Sequence, residues 1–126
     1  MTEIRELYFC EKCGNVTEVQ NEGAPVLFCC GMAMEKLIAK TEDASNEKHV
    51  PFIEEADGGI LVKVGQNQDH PMLENHFIKF IEVLTKDKVI KAELNPGDKP
   101  QAFFNVKKED VLEAREWCNL HGLWKS

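Results

Sequence analysis

The chain has 126 residues, which gives room for one ordinary domain or for a domain and a small metal-stapled segment. Hydrophobic residues make up 43% of it and charged residues 29%, a composition typical of folded globular proteins and not of disordered ones. With 22 acidic against 15 basic residues the formal net charge is −7, so we expect no sequence-independent binding of nucleic acid. No apolar run approaches the roughly 18 residues of a membrane span, and the charged first residues lack the apolar core of a signal peptide. We therefore expect a cytoplasmic protein with no membrane partner.

Residues 1–37 are predicted to form a small N-terminal domain. Two strand-like runs, Leu7–Phe9 and Val26–Phe28, are separated by turn-forming residues such as Gly14 and Gly23. A segment of fewer than about 40 residues rarely buries enough surface to fold alone, and a bound metal is one common remedy. The polar stretch Lys40–Lys48 that follows predicts a linker or loop.

Residues 38–126 are predicted to form a mainly β domain. Short runs rich in β-branched and aromatic residues alternate with turn signals, which is typical of a sandwich or a barrel. The predicted strands are Val50–Glu54, Ile60–Val64, Phe77–Leu84, Val89–Leu94 and Ala102–Val106. Lys107–Trp117 differs because its sequence, KKEDVLEAREW, is rich in helix formers, and local propensity alone predicts a helix there.

Four of the five cysteines lie near the N-terminus and predict a metal site. They are Cys10, Cys13, Cys29 and Cys30. In a Cys-x-x-Cys loop both sulfurs reach one ion, whereas adjacent cysteines share an ion only if the backbone bends, which Gly31 after the pair permits. By spacing alone, four thiolates in a distorted tetrahedron suit zinc and a single iron equally well. A disulfide between Cys29 and Cys30 is a third interpretation, but it is strained and disfavoured in the cytoplasm.

The later part of the chain carries all four histidines and the fifth cysteine, namely His49, His70, His76, Cys118 and His121. Imidazole binds iron, copper, nickel or zinc, and a thiolate adds a soft, electron-donating ligand. Five protein ligands are too many for a closed tetrahedral zinc site and leave one position open on a six-coordinate ion, which favours iron and implies chemistry. Glu47 and Lys48 directly precede His49. They are either a solvated charge pair, or a carboxylate that approaches the open position and an ammonium that attracts an anion.

The order of these motifs resembles the desulfoferrodoxin family, the two-iron superoxide reductases. The matching motifs are Cys-x-x-Cys, Cys-Cys, EKHVP, HPM with a further histidine six residues after its own, and C-N-x-H-G, and they cover essentially the whole chain. The resemblance implies a desulforedoxin-like iron tetrathiolate domain at residues 1–37, followed by an immunoglobulin-like β-sandwich with the catalytic iron at residues 38–126. It also implies a strand within Lys107–Trp117, where local propensity predicts a helix.

The resemblance further implies two iron ions per chain. The four early cysteines would bind one of them, and the catalytic iron would have four imidazole ligands, His121 through its other ring nitrogen, with Cys118 as axial thiolate. The implied activity is the one-electron reduction of superoxide to hydrogen peroxide, a defence against oxidative stress, with electrons from an external donor such as a rubredoxin-like protein. Glu47 and Lys48 would be the catalytic residues, and the protein would be a homodimer.

Two other functions stay open on the sequence alone. The first is a two-iron electron-transfer protein in which a protein ligand permanently fills the sixth position of the later iron. The second is a zinc-stapled binding module with no redox role. Colour separates the second from the others, because zinc is colourless and ferric thiolates absorb visible light.

Overall fold

The computed structural model describes residues 1–42 and 49–126. These residues divide into two compact units, Met1–Ile38 and Ala39–Ser126. Regular structure in the described ranges is β except for one 3-10 helix of three residues, which confirms the predicted mainly β class. No helix within those ranges has the length and apolar character needed to cross a membrane.

The N-terminal unit is built from five short strands. They are β1 (Leu7–Phe9), β2 (Val16–Glu18), β3 (Phe28–Cys29), β4 (Met32–Ala33) and β5 (Glu35–Lys36). β1 lies between β2 and β5 in an antiparallel sheet, and β3 and β4 form a separate hairpin. The predicted strand over residues 7–9 is confirmed, whereas the one predicted over residues 26–28 is wrong except at its last residue. β3 begins only at Phe28, which pairs with Ala33, and Val26, before it, is exposed and has no buried face to favour a strand.

The C-terminal unit is a β-sandwich of two antiparallel sheets, as expected. Its strands are β6 (Pro51–Ala56), β7 (Gly59–Val64), β8 (Ile78–Leu84), β9 (Val89–Glu93), β10 (Gln101–Phe104), β11 (Glu113–Cys118) and β12 (Gly122–Lys125). One sheet has the order β10-β7-β6 and the other β12-β11-β8-β9. All five strands predicted for this unit are confirmed, with ends shifted by one or two residues.

The core of the sandwich lies between the two sheets. Ile60, Val62 and Val64 of β7 point inward at every second position and are fully buried. They pack in one cluster with Ile81 and Val83 of β8, on the facing sheet. Such a packed core holds the strand ends and the loops between them in fixed positions, and these loops carry the later histidines.

The helix that local propensity predicts over Lys107–Trp117 is wrong. Only Lys108–Asp110 form a 3-10 turn, and β11 begins at Glu113, which agrees with the strand implied by the family resemblance. β11 lies between β8 and β12 and pairs with both, so nearly all its side chains are buried. Pairing on two sides and burial outweigh the helix propensity of Ala and Glu, which contributes less than about 1 kcal/mol per residue.

The predicted linker or loop over residues 40–48 is wrong at Lys40, which is hydrogen-bonded to the last strand. The Lys40 backbone N–H donates to the Leu123 carbonyl over 2.9 Å, and the Lys125 N–H donates to the Lys40 carbonyl over 2.9 Å. Lys40 thus adds to the open edge of β12 by a parallel bridge opposite Trp124. Residues 43–48 lie outside the described residues.

Candidate metal centres

The four-cysteine group brings together Cys10, Cys13, Cys29 and Cys30, with all four sulfurs within 4.8 Å of one another. Cys10 and Cys13 flank the turn after β1, and the other two lie at the turn of the β3–β4 hairpin. The Cys29 sulfur is 3.4 Å from that of Cys13 and 4.0 Å from that of Cys30. Tetrahedral metal–sulfur bonds of about 2.3 Å place sulfurs about 3.8 Å apart, so the group has the dimensions of a tetrathiolate site.

The backbone bends at the adjacent cysteine pair, as the sequence analysis requires. Cys30 has φ +53° and Gly31 has φ +75°, both in the left-handed region. A non-glycine residue in that region is strained, and the following glycine relieves the rest of the turn. All five cysteines are free thiols, so the alternative of a disulfide between Cys29 and Cys30 is wrong.

Hydrogen bonds shift the pKa values of two thiols of the four-cysteine group in opposite directions. The backbone N–H of Cys13 donates to the Cys10 sulfur and lowers the pKa of Cys10 to about 7. Hydrogen bonding with the sulfurs of Cys13 and then Cys29 raises the pKa of Cys30 to about 12. The Cys10 thiol therefore has a lower pKa than the Cys30 thiol, and two thiolates this close would repel one another. A bound cation offsets that repulsion, so metal binding is accompanied by release of thiol protons.

The histidine–cysteine group lies at one end of the sandwich, with its five donor atoms within 4.8 Å of one another. Its members are His49, His70, His76, Cys118 and His121. His49 lies two residues before the strand β6, while His70 and His76 lie in the loop between β7 and β8. Cys118 ends β11, and His121 lies in the turn to β12. A site with donors from four places in the chain depends on the whole sandwich for its assembly.

The four imidazole rings form a closed ring of contacts. Neighbouring ring centroids are 4.7 Å apart for His49 and His70, 4.8 Å for His70 and His76, 5.0 Å for His76 and His121, and 4.8 Å for His121 and His49. Adjacent planes are inclined by 67° to 80°, so the rings meet edge to face. Such a ring surrounds a central point about 3.4 Å from each centroid, which leaves room for metal–nitrogen bonds of about 2.1 Å.

Hydrogen bonds select the ring nitrogens that face this centre. His70 Nδ1 lies 2.7 Å from the Pro71 carbonyl oxygen and must donate to it, which leaves Nε2 unprotonated for a metal. His121 is turned the other way, since its Nδ1 lies 3.0 Å from His49 Nε2 and 4.0 Å from the Cys118 sulfur. A separation of 3.0 Å is the distance between adjacent nitrogens on one octahedral ion.

The loop between β7 and β8 is folded tightly under His70. Gly65 has φ +91°, and a Cβ there would lie 2.0 Å from the Gln68 carbonyl oxygen and 2.9 Å from the His70 nitrogen. No side chain fits that space, so glycine permits the backbone contact that directs His70 toward the centre. The His70 N–H also donates to the Val64 carbonyl over 3.1 Å, which ties the loop to the end of β7.

Asn119 joins the two loops that carry ligands, and the sequence analysis assigned it no role. Its side-chain oxygen accepts from the Phe77 N–H over 2.8 Å, and its amide nitrogen donates to the Asn75 carbonyl over 3.1 Å. Asn75 and Phe77 flank His76, so Asn119 fixes the position of that imidazole relative to Cys118. The motif C-N-x-H-G contained this signal, because an asparagine between two ligands is well suited to bond loop backbone.

Trp124 is a second residue that the sequence analysis missed. Its indole stacks on the His49 ring with centroids 4.6 Å apart and planes inclined by 14°. Its Nε1–H donates to the His121 carbonyl over 3.1 Å. It therefore supports two candidate ligands at once, and nothing in the sequence separates it from an ordinary core tryptophan.

The structure brings together all nine predicted metal ligands in two groups. The two predicted catalytic residues, Glu47 and Lys48, lie outside the described residues. Comparison with known proteins identifies the family. The desulfoferrodoxin family model matches residues 41–126, and the model of the desulfoferrodoxin N-terminal domain matches residues 2–37. The chain belongs to the desulfoferrodoxin family.

Known relatives and a solved structure resemble this chain over nearly its whole length. It is 51% identical to the desulfoferrodoxin of Syntrophotalea carbinolica over 126 residues, 100% of this chain and 98% of that protein. It is 49% identical to a desulfoferrodoxin homologue of Methanothermobacter thermautotrophicus over 124 residues, 98% of this chain and 99% of that protein. The crystal structure of the superoxide reductase from Treponema pallidum matches it with a TM-score of 0.79 and 27% identity, covering 98% of each chain.

The two metal-binding groups match the two-iron architecture of desulfoferrodoxins. Four sulfurs at tetrahedral spacing suit a single iron. Four imidazoles and a thiolate exceed what a closed zinc site accepts, and they suit an iron with five protein ligands. Both donor sets therefore fit the iron that the family implies.

Proposed function

We propose that this protein is a superoxide reductase whose histidine–cysteine centre reduces superoxide to hydrogen peroxide. The observation that carries this proposal is the closed ring of four imidazoles with a buried thiolate among its donors. When bound there, ferrous iron supplies the single electron that, with two protons, converts superoxide to hydrogen peroxide. The electron must then be replaced by an external donor, for which a rubredoxin-like protein is our candidate.

The geometry of the side chains supports the proposed ligand assignment. His49, His70, His76 and His121 would hold the catalytic iron as imidazoles, with His121 bonding through Nδ1. The Cys118 sulfur would be the remaining ligand and would donate electron density to the iron. Stacking of Trp124 on His49 and the Pro71 contact of His70 keep these rings oriented without a metal, so the site is preorganised.

Five donors leave one position of a six-coordinate ion for substrate, and we assign Glu47 and Lys48 to the space beside it. They directly precede the ligand His49 in the sequence. The Lys48 ammonium would attract the superoxide anion and order the water that supplies protons, and the Glu47 carboxylate would approach the open position. Local attraction of this kind operates within about 8 to 10 Å and can outweigh a net charge of −7 on the whole chain.

For the four-cysteine group we propose an iron whose main role is to stabilise the N-terminal domain. We place the domain boundary after residue 37, supported by the compact units Met1–Ile38 and Ala39–Ser126 and by the family matches to residues 2–37 and 41–126. The five free thiols favour a reducing compartment, which supports a cytoplasmic location. A homodimer is proposed from the family resemblance.

Metal analysis and a superoxide pulse test the proposed function. We expect two iron ions per chain, visible thiolate absorption from both oxidised centres, and rapid oxidation of the pre-reduced histidine–cysteine centre by pulse-generated superoxide. One hydrogen peroxide should form per electron and no dioxygen, which separates a reductase from a dismutase. Protein reconstituted with zinc is the control and should not react. A reduced centre that exchanges electrons with small redox dyes but ignores superoxide would establish the electron-transfer alternative instead.

A further inference from the structure

We propose that Lys40 is an electrostatic positioning residue of the histidine–cysteine centre: its positive charge, held beside two of the ligands, raises the reduction potential of that centre. The inference rests on the proposed function only in that it needs iron at this centre. Lys40 belongs to the stretch that the sequence predicts as a linker, and neither the ligand motifs nor the family resemblance draws attention to it.

The backbone fixes where the Lys40 side chain starts. Lys40 is bonded on both sides to the last strand, through its N–H to Leu123 and through its carbonyl to Lys125. It lies opposite Trp124 in a parallel bridge. Its side chain therefore begins beside β12, whose first residue follows the ligand His121, and does not sample the surface as an ordinary linker lysine would.

The ammonium group contacts two elements that hold ligands. Lys40 Nζ donates to the His121 carbonyl oxygen over 3.2 Å and lies over the Trp124 ring, 5.1 Å from its centroid. Trp124 Nε1 donates to the same carbonyl over 3.1 Å. A positive charge over an indole is attracted by the ring's electron-rich face, and Arg or Lys are the residues that make this contact.

These contacts extend to the candidate ligands themselves. The indole under Lys40 stacks on His49, and the carbonyl that Lys40 binds belongs to His121. His49 Nε2 and His121 Nδ1 are the two donor atoms that lie 3.0 Å apart. Trp124 thus separates the ammonium from the His49 ring, and the ammonium contacts the backbone of His121 directly. Its charge is close enough to act on a metal bound by these two imidazoles.

The sign of the effect follows from Coulomb's law. A fixed positive charge destabilises the ferric centre more than the ferrous one, because the ferric ion carries the greater positive charge. At a separation on the order of 10 Å and with an exposed ammonium, we expect the reduced-to-oxidised ratio at a fixed ambient potential to rise about three- to tenfold. For a one-electron couple that ratio corresponds to about 30 to 60 mV.

The test is a redox titration of the full-length, iron-loaded protein, following the visible absorption of the histidine–cysteine centre. Lys40→Met removes the charge and the hydrogen bond, Lys40→Gln removes the charge but keeps a donor, and Lys40→Arg keeps the charge. Lys86→Met is the matched control, because Lys86 is exposed in the turn after β8, about 20 Å along that seven-residue strand from His76.

We expect the potential to fall about equally in Lys40→Met and Lys40→Gln, and to stay near the wild-type value in Lys40→Arg and Lys86→Met. The difference between wild type and Lys40→Met should shrink in high salt, since the ammonium is exposed to solvent. A wild-type potential in Lys40→Gln would overturn the proposal, because the hydrogen bond and not the charge would then be responsible. An unchanged potential in Lys40→Met would overturn it as well.

The titration distinguishes failure of the proposed function from failure of the proposed role of Lys40. The potential is measured without superoxide, so a shifted potential in protein that fails to reduce superoxide refutes the proposed function and leaves the role of Lys40 intact. If Lys40→Met binds iron poorly, Lys40→Gln and the salt dependence of the wild-type potential provide the test. The proposal is contradicted if the wild-type potential does not change with salt and Lys40→Gln has the wild-type potential.

Discussion

The two metal-binding groups of this protein are built in opposite ways. In the N-terminal unit the donors lie on turns between strands of two or three residues, and both Cys13 and Cys30 are exposed. In the C-terminal unit His49, His70 and Cys118 are buried at one end of a sandwich with a continuous apolar core. The first group thus has little scaffold around it, whereas the second is held by strands that share a packed apolar core.

This contrast separates the two roles that a metal can have. Where the surrounding chain is too short to form a core, the binding energy of the metal contributes directly to folding. Where the scaffold is already packed, ligands are positioned in advance and the metal can keep an open site for chemistry. We therefore expect loss of one group to unfold its unit and loss of the other to abolish activity.

Replacement of Cys118 by serine should have the largest effect. A soft thiolate is exchanged for a hard, weaker ligand, so iron binding weakens and the thiolate absorption of this centre disappears. Superoxide reduction should fall by more than about 100-fold, because loss of a residue that only supports a ligand already costs about 10- to 100-fold. Visible spectra and pulse kinetics measure both effects, and the absorption of the four-cysteine centre serves as an internal control. Survival of the late thiolate band would show that Cys118 is not a ligand.

The buried ion pair between Arg115 and Glu82 tests the claim that the sandwich is the scaffold. Arg115 Nε lies 2.6 Å from the Glu82 carboxylate, and the two residues are only 6% and 3% exposed. Arg115→Met leaves a buried carboxylate without its guanidinium and should lower the free energy of unfolding by about 3 to 5 kcal/mol. Denaturant unfolding of the iron-loaded protein measures this.

The N-terminal unit offers the matched control for that ion pair. Lys36 Nζ is also 2.6 Å from the Glu6 carboxylate, but the lysine is half exposed, and its hydrogen bond lowers the pKa of Glu6. Lys36→Met should leave the unfolding of the sandwich unchanged, because Lys36 belongs to the N-terminal unit, and it should cost that unit little, because solvent screens such a pair. If Arg115→Met and Lys36→Met destabilise the sandwich equally, the C-terminal scaffold is not organised as described.

Lys48→Ala should have a smaller effect, confined to kinetics. Replacement of a single lysine in a predicted linker or loop costs little stability, so we expect unchanged folding and iron content. Loss of its charge should slow the reaction with superoxide by about one to two orders of magnitude and weaken the salt dependence of the rate. Lys48→Arg should keep much of the rate, and Lys48→Glu should be slower than Lys48→Ala. Equal rates in all three variants would rule out steering by Lys48.

The strands of the sandwich could be predicted because the alternation of buried and less buried residues is visible within each short segment of the sequence. Ile60, Val62 and Val64 alternate with less buried neighbours, and the turn at Asp57 and Gly58 has the residues that a tight hairpin demands. The strand at Glu113–Cys118 could not be predicted in this way, because its alanine and glutamates follow their neighbours in the sheet and not their own propensity.

The ligands of both centres could be found from residue type and spacing, but their supporting residues could not. Cysteine and histidine are rare enough that a cluster of them is informative. Lys40 resembles any surface lysine, and Trp124 resembles any core tryptophan. Their role depends on a β-bridge between residues 40 and 124, which are far apart in the sequence. Only the folded chain shows that both contact the His121 carbonyl.

The central claim, that the two groups have separate roles, is tested most directly by Cys13→Ser. The exposed Cys13 is a ligand of the first group only, so the variant should lose that iron and show loosened structure in residues 1–37 by hydrogen exchange. Pre-reduced Cys13→Ser protein mixed with pulse-generated superoxide should still oxidise its histidine–cysteine centre at a rate within about twofold of wild type, since no ligand of that centre has changed. Loss of this reaction while the histidine–cysteine iron remains bound would contradict the account.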